Sequence, residues 1–177
     1  MLQLKNKSET ENNYKTVAKF FHWSMALLII VNYILGLTLD STSWYLVHKQ
    51  IGITILFLCI LRICWRIFTP YPPLVKELSI LEKFVAKCGH LFLYLLLVII
   101  PLSGILMVQH HGYSISFWGL FNLPVIHFRS VIIMDNIGIL HLYLAHLIII
   151  IAALHALFAL KHHFVNKDRT LLRMLSK

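Results

Sequence analysis

HLYLAHLIIIIAALH, the stretch from His141 to His155, decides how this chain folds. It holds no Asp, Glu, Lys or Arg, and it carries a histidine at each end. At ~100° and ~1.5 Å per residue, that spacing returns a helical side chain to nearly the same face, ~21 Å further along the axis. One helix therefore presents an imidazole near each edge of a hydrocarbon core that is ~30 Å thick. Histidine inside a membrane span is costly, and its default reading is functional. Two imidazoles stacked on one face predict two buried haems, one above the other.

The surrounding sequence agrees. Of 177 residues, 59% are apolar and the mean hydropathy is +0.77. That excludes an ordinary soluble domain and suits a compact membrane bundle. Residues 20–39, 88–109 and 136–160 lack charged side chains entirely, and each is long enough to span. A fourth span, 46–68, has Lys49 and Arg62 near its ends, where both can snorkel to the headgroups. The expected fold is an all-α membrane protein: an antiparallel bundle of four transmembrane helices in one domain, 1–177.

Basic residues set the expected orientation. Lys5, Lys7, Lys15 and Lys19 precede the first span, and Arg62, Arg66, Lys76, Lys83 and Lys87 cluster at the second connection. Lys161, Lys167, Arg169, Arg173 and Lys177 follow the last span, which leaves only Lys49 and Arg129 on the other side. Positive-inside logic puts both termini in the cytoplasm and explains the net charge of +9. These cations flank hydrophobic spans and form no single face, so a nucleic-acid partner is excluded. The first span is longer than a signal-peptide core and no small-x-small cleavage site follows it, so it reads as an uncleaved helix. Cys59, Cys64 and Cys88 fall toward the cytoplasmic side, match no zinc spacing and read as packing residues.

The connections add detail. TPYPP at Thr69–Pro73 ends the second helix, and the mixed segment Lys76–Lys87 reads as a short helix along the membrane surface. Pro101 is expected to kink the third span. The external connection from Gly112 to Asp135 carries Phe117, Trp118, Phe121 and Phe128, which suits a segment resting on the outer interface as a lid.

Topology assigns each histidine a depth. His22 opens the first helix on the cytoplasmic side, and His48 opens the second on the outside. The fourth helix enters from outside, so His141 is level with His48, and His155 with His22. Bis-imidazole ligation of b-type haem needs two facing neutral imidazoles at one depth, and no CxxCH motif is present for covalent attachment. Gly52 and Gly138 stand beside the outer pair, where a porphyrin can approach backbone closely, and Ala152, Ala156 and Ala159 give the inner half a small-residue surface. Arg62 and Arg66 are placed to pair with propionates, or to serve as plain membrane anchors. His90 is the rival ligand for the inner haem; otherwise it hydrogen-bonds a propionate, quinone or headgroup. His146, ~140° around from His141, faces elsewhere and reads as a packing residue or as one that makes a helix–helix hydrogen bond. His162 bounds a quinone pocket or belongs to a solvated basic tail, and His110, His111 and His127 read as solvated at the outer surface.

The chain resembles the bacterial cytochrome b561 family of small four-helix dihaem membrane cytochromes. The resemblance runs through FHW at Phe21–Trp23, HKQIG at His48–Gly52 and LRICWRIFTPYPP at Leu61–Pro73. It continues through GHLFLYLLLVIIPLSGILM at Gly89–Met107 and, most specifically, the tail ALKHHFVNKDRTLLRML at Ala159–Leu175. It implies axial ligands at His22, His48, His141 and His155, two haem b groups and a place in the bacterial inner membrane. It also implies electron transfer from a periplasmic donor, superoxide in some members, to ubiquinone. His90, His162, Lys76 or Lys161 would then serve the quinone, and Trp118 part of an outer wall. Lys49, Arg129 and outer histidines would attract an anion, although the outer loop carries few charges. The alternative is an electron-relay membrane-anchor cytochrome b subunit of a larger redox complex such as a hydrogenase. A histidine-based metal transporter would need mid-membrane carboxylates, and the spans contain none.

Overall fold

A computed structural model describes residues 14–38, 42–69, 79–125 and 136–175. Four long helices make up most of it: α1 (Thr16–Leu37), α2 (Thr42–Phe68), α3 (Ile80–His110) and α4 (Ile137–Phe164). Each contains a window apolar and long enough to cross a membrane. Helices suit that solvent because their backbone hydrogen bonds close within the segment. Between α3 and α4 lies a two-stranded antiparallel hairpin, β1 (Ile115–Phe117) and β2 (Phe121–Leu123), and a short α5 (Leu172–Leu175) follows α4.

The core runs along one stripe of α2, where Ile51, Ile55 and Cys59 recur every four residues. Met25 of α1, Leu96 and Leu97 of α3, and Ile148 of α4 pack onto it. Large apolar side chains such as Phe20, Leu27, Phe57, Ile99 and Leu157 stay exposed on the outside, as a lipid-facing surface requires. Of the cysteines, Cys59 alone is fully buried; Cys64 is exposed, so packing does not explain it. Close packing joins α1 to α2, α2 to α3 and α3 to α4, while α1 and α4 meet mainly through side chains.

One expectation changes. The charged segment before the third span is not a separate surface helix over its described part, because α3 begins at Ile80 and runs through it without a break. A capping box explains the start: Ser79 Oγ accepts from the Glu82 N–H, and Glu82 Oε2 accepts from the Ser79 N–H at 3.0 Å. Glu82 also pairs with Lys161 at 3.4 Å, tying the start of α3 to the end of α4. Lys76 lies outside the described residues, and α3 continues through a buried Pro101.

The aromatic outer connection is a hairpin as far as Leu123, with its turn at Trp118 and Gly119, both at positive φ (48° and 74°). Gln50 of α2 clamps it: its amide nitrogen donates to Ser116 C=O at 2.6 Å, and its oxygen accepts from the Trp118 N–H at 2.8 Å. The Trp118 indole donates to Thr54 Oγ1 at 3.0 Å, which holds this bulky residue in its strained conformation. His127, Phe128 and Arg129 lie outside the described residues. At the other end, the Tyr14 N–H bonds the Arg173 carbonyl and the Trp23 indole bonds that of Met174, so both ends of the described chain meet there. These are the hairpin end and the terminal end below.

Candidate functional site

At the hairpin end, His48 of α2 faces His141 of α4, ring centres 6.1 Å apart and planes 78° to each other. His48 Nδ1 lies 3.0 Å from the Asn32 carbonyl. His141 Nδ1 lies 3.1 Å from the Ile100 carbonyl and 2.9 Å from Ser103 Oγ, whose own O–H donates to Ile100 at 2.7 Å. A carbonyl only accepts, so both imidazoles carry their proton on Nδ1 and keep the Nε2 lone pair free.

The two rings line a cavity of about 280 Å³, with Gly36, Gly52, Gly104 and Gly138 also in its wall. Gly52 and Gly138, singled out from sequence, have ordinary clearance: a Cβ there would lie 3.6 Å from Asn32 Nδ2 and 3.4 Å from Met107 Sδ. Gly36 and Gly104, which sequence reasoning missed, matter more. A Cβ on Gly36 would lie 3.0 Å from His48 Cε1, and one on Gly104 3.2 Å from His141 Cε1. Each imidazole stands against a glycine on a neighbouring helix, and nothing local in the sequence marks such a pair. Asn32 Oδ1, also in the wall, is buried with no hydrogen-bond partner among the described residues.

At the terminal end His155 of α4 meets two histidines. His22 of α1 has its ring centre 6.2 Å away, and His90 of α3 only 5.1 Å. His22 and His155 are half-buried, whereas His90 is exposed. Arg62 Nη2 donates to His22 Nδ1 at 3.2 Å, and Arg66 Nη1 donates to Tyr94 Oη at 3.4 Å. Both guanidiniums also sit 5.6 Å from the Tyr94 ring centre. Both arginines therefore converge on this end.

His162 stands apart from this cluster. It is buried, with Nδ1 2.6 Å from Asp168 Oδ2 and 3.1 Å from Asn166 Nδ2, so it closes the turn after α4 and is no solvated tail residue. Burial pushes the Asp168 carboxyl up, but hydrogen bonds from Thr170 and His162 outweigh it and hold Asp168 below its ordinary range. Burial raises the Tyr14 phenol, which nearby Arg66 and Arg173 only partly offset. His146 makes the helix–helix bond expected of it, to Tyr33 Oη at 2.8 Å. His111 Nδ1 bonds the Met107 carbonyl within its own helix end.

Four membrane-spanning helices with facing histidine pairs at two levels define a class, the multi-pass membrane cytochromes. The family model for prokaryotic cytochrome b561 matches residues 13–177. The cytochrome b561 homolog 2 of Escherichia coli K12 is 35% identical over 96% of this chain and 95% of its own length. The probable superoxide oxidase CybB of Yersinia pestis is also 35% identical, over 88% of this chain and 92% of its own. Cytochrome b562 of Cereibacter sphaeroides is 29% identical over 93% of this chain and 96% of its own length. The chain belongs to the prokaryotic cytochrome b561 family. It is a multi-pass protein of the bacterial inner membrane that binds haem b and transfers electrons, an oxidoreductase in the general sense.

Proposed function

We propose that the chain is a dihaem cytochrome whose inner haem is held by His22 and His155 and whose outer haem is held by His48 and His141. Ring separation carries the reading. Two imidazoles bonded from opposite sides to one metal, at ~2 Å each, put their ring centres on the order of 6 Å apart. The pairs at 6.1 and 6.2 Å fit this, while His90 at 5.1 Å is too close to His155 to face it across an iron. Among the described residues no cluster of three or more His, Cys, Asp or Glu is placed to hold a bare ion. Pairs suit an iron already bound by a porphyrin. The glycine-backed imidazoles fit a cavity that a large, mostly apolar group completes.

Haem b supplies a one-electron carrier at each level. The chain does the rest. The Asn32 and Ile100 carbonyls fix the tautomer and direction of the outer imidazoles. Arginine only donates, so the Arg62 bond holds His22 with its lone pair on Nδ1. Were His22 to hold haem through its other ring nitrogen, Nδ1 would carry the proton, and Arg62 would then be free to pair with a propionate carboxylate. His90 stays beside His155, its ring centre 5.1 Å away.

The basic residues at the terminal end support cytoplasmic termini. The hairpin end then faces the periplasm, and electrons pass from a periplasmic donor to ubiquinone in the membrane. The name of the Yersinia relative favours superoxide as donor, and Lys49, 4.5 Å from the Tyr45 ring centre, adds positive charge at that end.

The test is a reduced-minus-oxidised spectrum of purified protein, with haem counted per chain as the pyridine haemochrome. Two haems are expected, with His141→Ala and His155→Ala each losing one. Retention of both haems in both variants would sink the ligand assignment. In proteoliposomes containing ubiquinone, externally generated superoxide is expected to be consumed with formation of quinol. Inactivity there, with a soluble redox partner copurifying, would favour the relay-subunit reading.

A further inference from the structure

We propose that the apolar tip of the hairpin, residues 117–121, enters the lipid leaflet at its end of the bundle and is covered there by acyl chains. The sequence suggests a lid resting on the interface; three contacts along α2 set the hairpin deeper. Tyr113, just before β1, lies near Tyr45 in the first turn of α2. Ser116 and Trp118 are bonded to Gln50, and the Trp118 indole reaches Thr54. Order along β1 therefore runs with order along α2, inward from the helix end.

Helix length gives the depth. α2 has 27 residues, so at ~1.5 Å per residue it is ~40 Å long, against a hydrocarbon core ~30 Å thick. Wherever the core is set along this helix, it begins within ~10 Å of Thr42. Thr54 lies twelve positions, ~18 Å, beyond Thr42 and so at least ~8 Å inside. Even His48 is nearer that end of α2 than Thr54 is.

The chemistry of the hairpin changes in the same direction. Residues 113–124 carry no charged side chain. Their polar members, Tyr113, Ser114, Ser116 and Asn122, stand at the base, with Asn122 opposite Ser116. The tip is wholly apolar, and Trp118, Leu120 and Phe121 are 54%, 76% and 53% exposed. Phe57, three residues further in than Thr54, is also exposed, so the tip continues the lipid-facing surface of α2. Non-helical backbone is costly in hydrocarbon unless protein satisfies it. Around this turn the antiparallel ladder, the two Gln50 bonds and the Leu120 N–H bond to the Phe117 carbonyl at 2.9 Å do so. β1 is seated against α2 and α3 with Ile115 buried, which leaves β2 and the tip on the lipid side.

The test uses haem-loaded protein in phosphatidylcholine nanodiscs that contain a phospholipid with a diazirine on its acyl chain. Photolysis of the unmutated chain is expected to place crosslinks within residues 117–121. A charged, water-soluble methanethiosulfonate is expected to modify Leu120→Cys at least about tenfold more slowly than Ser114→Cys, since apolar surroundings suppress the reactive thiolate. Both positions are exposed, so haem content per chain is expected to stay at the wild-type value. Peptide mass separates each new thiol from Cys59, Cys64 and Cys88. Equal rates at the two positions would overturn the proposal and place the tip in water, whatever the crosslinks. Slow modification of Leu120→Cys without crosslinks would overturn it in favour of a second copy of the chain covering the tip.

Discussion

Gly36→Ala should empty the outer haem site while leaving the bundle folded. The added Cβ would lie 3.0 Å from His48 Cε1 and 3.4 Å from its Nδ1. Carbon atoms prefer ~3.5–4.0 Å, so the ring must retreat by about 0.5 Å or more. It is not free to do so, because its Nδ1–H is bonded to the Asn32 carbonyl at 3.0 Å. Retreat stretches that bond toward ~3.5 Å, where little of it survives, and a ligand ~0.5 Å out of place is at the limit of a productive site. Overpacking of this kind costs about 1–3 kcal/mol, which weakens outer-haem affinity roughly 5- to 160-fold. The helix itself gains up to about 1 kcal/mol from Gly→Ala, which offsets part of that cost and keeps the haem-free chain folded. Gly89→Ala is the control, since a Cβ there meets nothing within 4 Å. The assay is haem per chain with the thermal midpoint of the protein. Gly36→Ala should fall from two haems toward one while the haem-free form still unfolds in one cooperative transition, and Gly89→Ala should keep both. Full loading of Gly36→Ala with an unaltered spectrum would refute the crowding argument.

Other outcomes follow from single contacts. Gln50→Ala removes both clamp bonds on the hairpin, about 0.5–1.5 kcal/mol each, and amide exchange at residues 115–123 should quicken; unchanged exchange would show that the hairpin holds itself. Arg62→Gln should lower retention of the inner haem and leave the outer one in place, as read from the haem count at limiting haem; equal loss of both would contradict its assignment to the terminal end. Asp168 has a folded-state pKa below its unfolded value of ~3.9, so its contribution is fully present above that value and is lost as pH falls through the lower, folded one. A nitroxide on Leu175→Cys should therefore be ordered at neutral pH, become mobile in strong acid and be mobile at every pH in Asp168→Asn. Mobility independent of both would show that the His162–Asp168 bond does not hold the tail.

What could be read without the fold is what depends on local spacing and solvent. Charge-free runs of helical length name four spans because lipid tolerates little else, and the interval from His141 to His155 places two imidazoles on one face because helix geometry is fixed. Alternating direction through the membrane then sorts His22 with His155 and His48 with His141, and the structure puts those ring centres 6.2 and 6.1 Å apart. The limits were equally physical. Absence of charge marks the part of a helix in hydrocarbon, and says nothing of where the helix starts, so the start of α3 was placed too late; its capping box was the usable signal. The Trp118–Gly119 turn was legible in principle as a glycine between two short aromatic runs. Tertiary packing alone decided that Gly36 backs His48, that Gly104 backs His141, that His90 stands 5.1 Å from His155, and that His162 turns to Asp168. Each of these depends on distances of a few ångströms between residues remote in the chain. A helical period fixes direction and depth along one helix, but how closely two helices approach is set by the side chains between them.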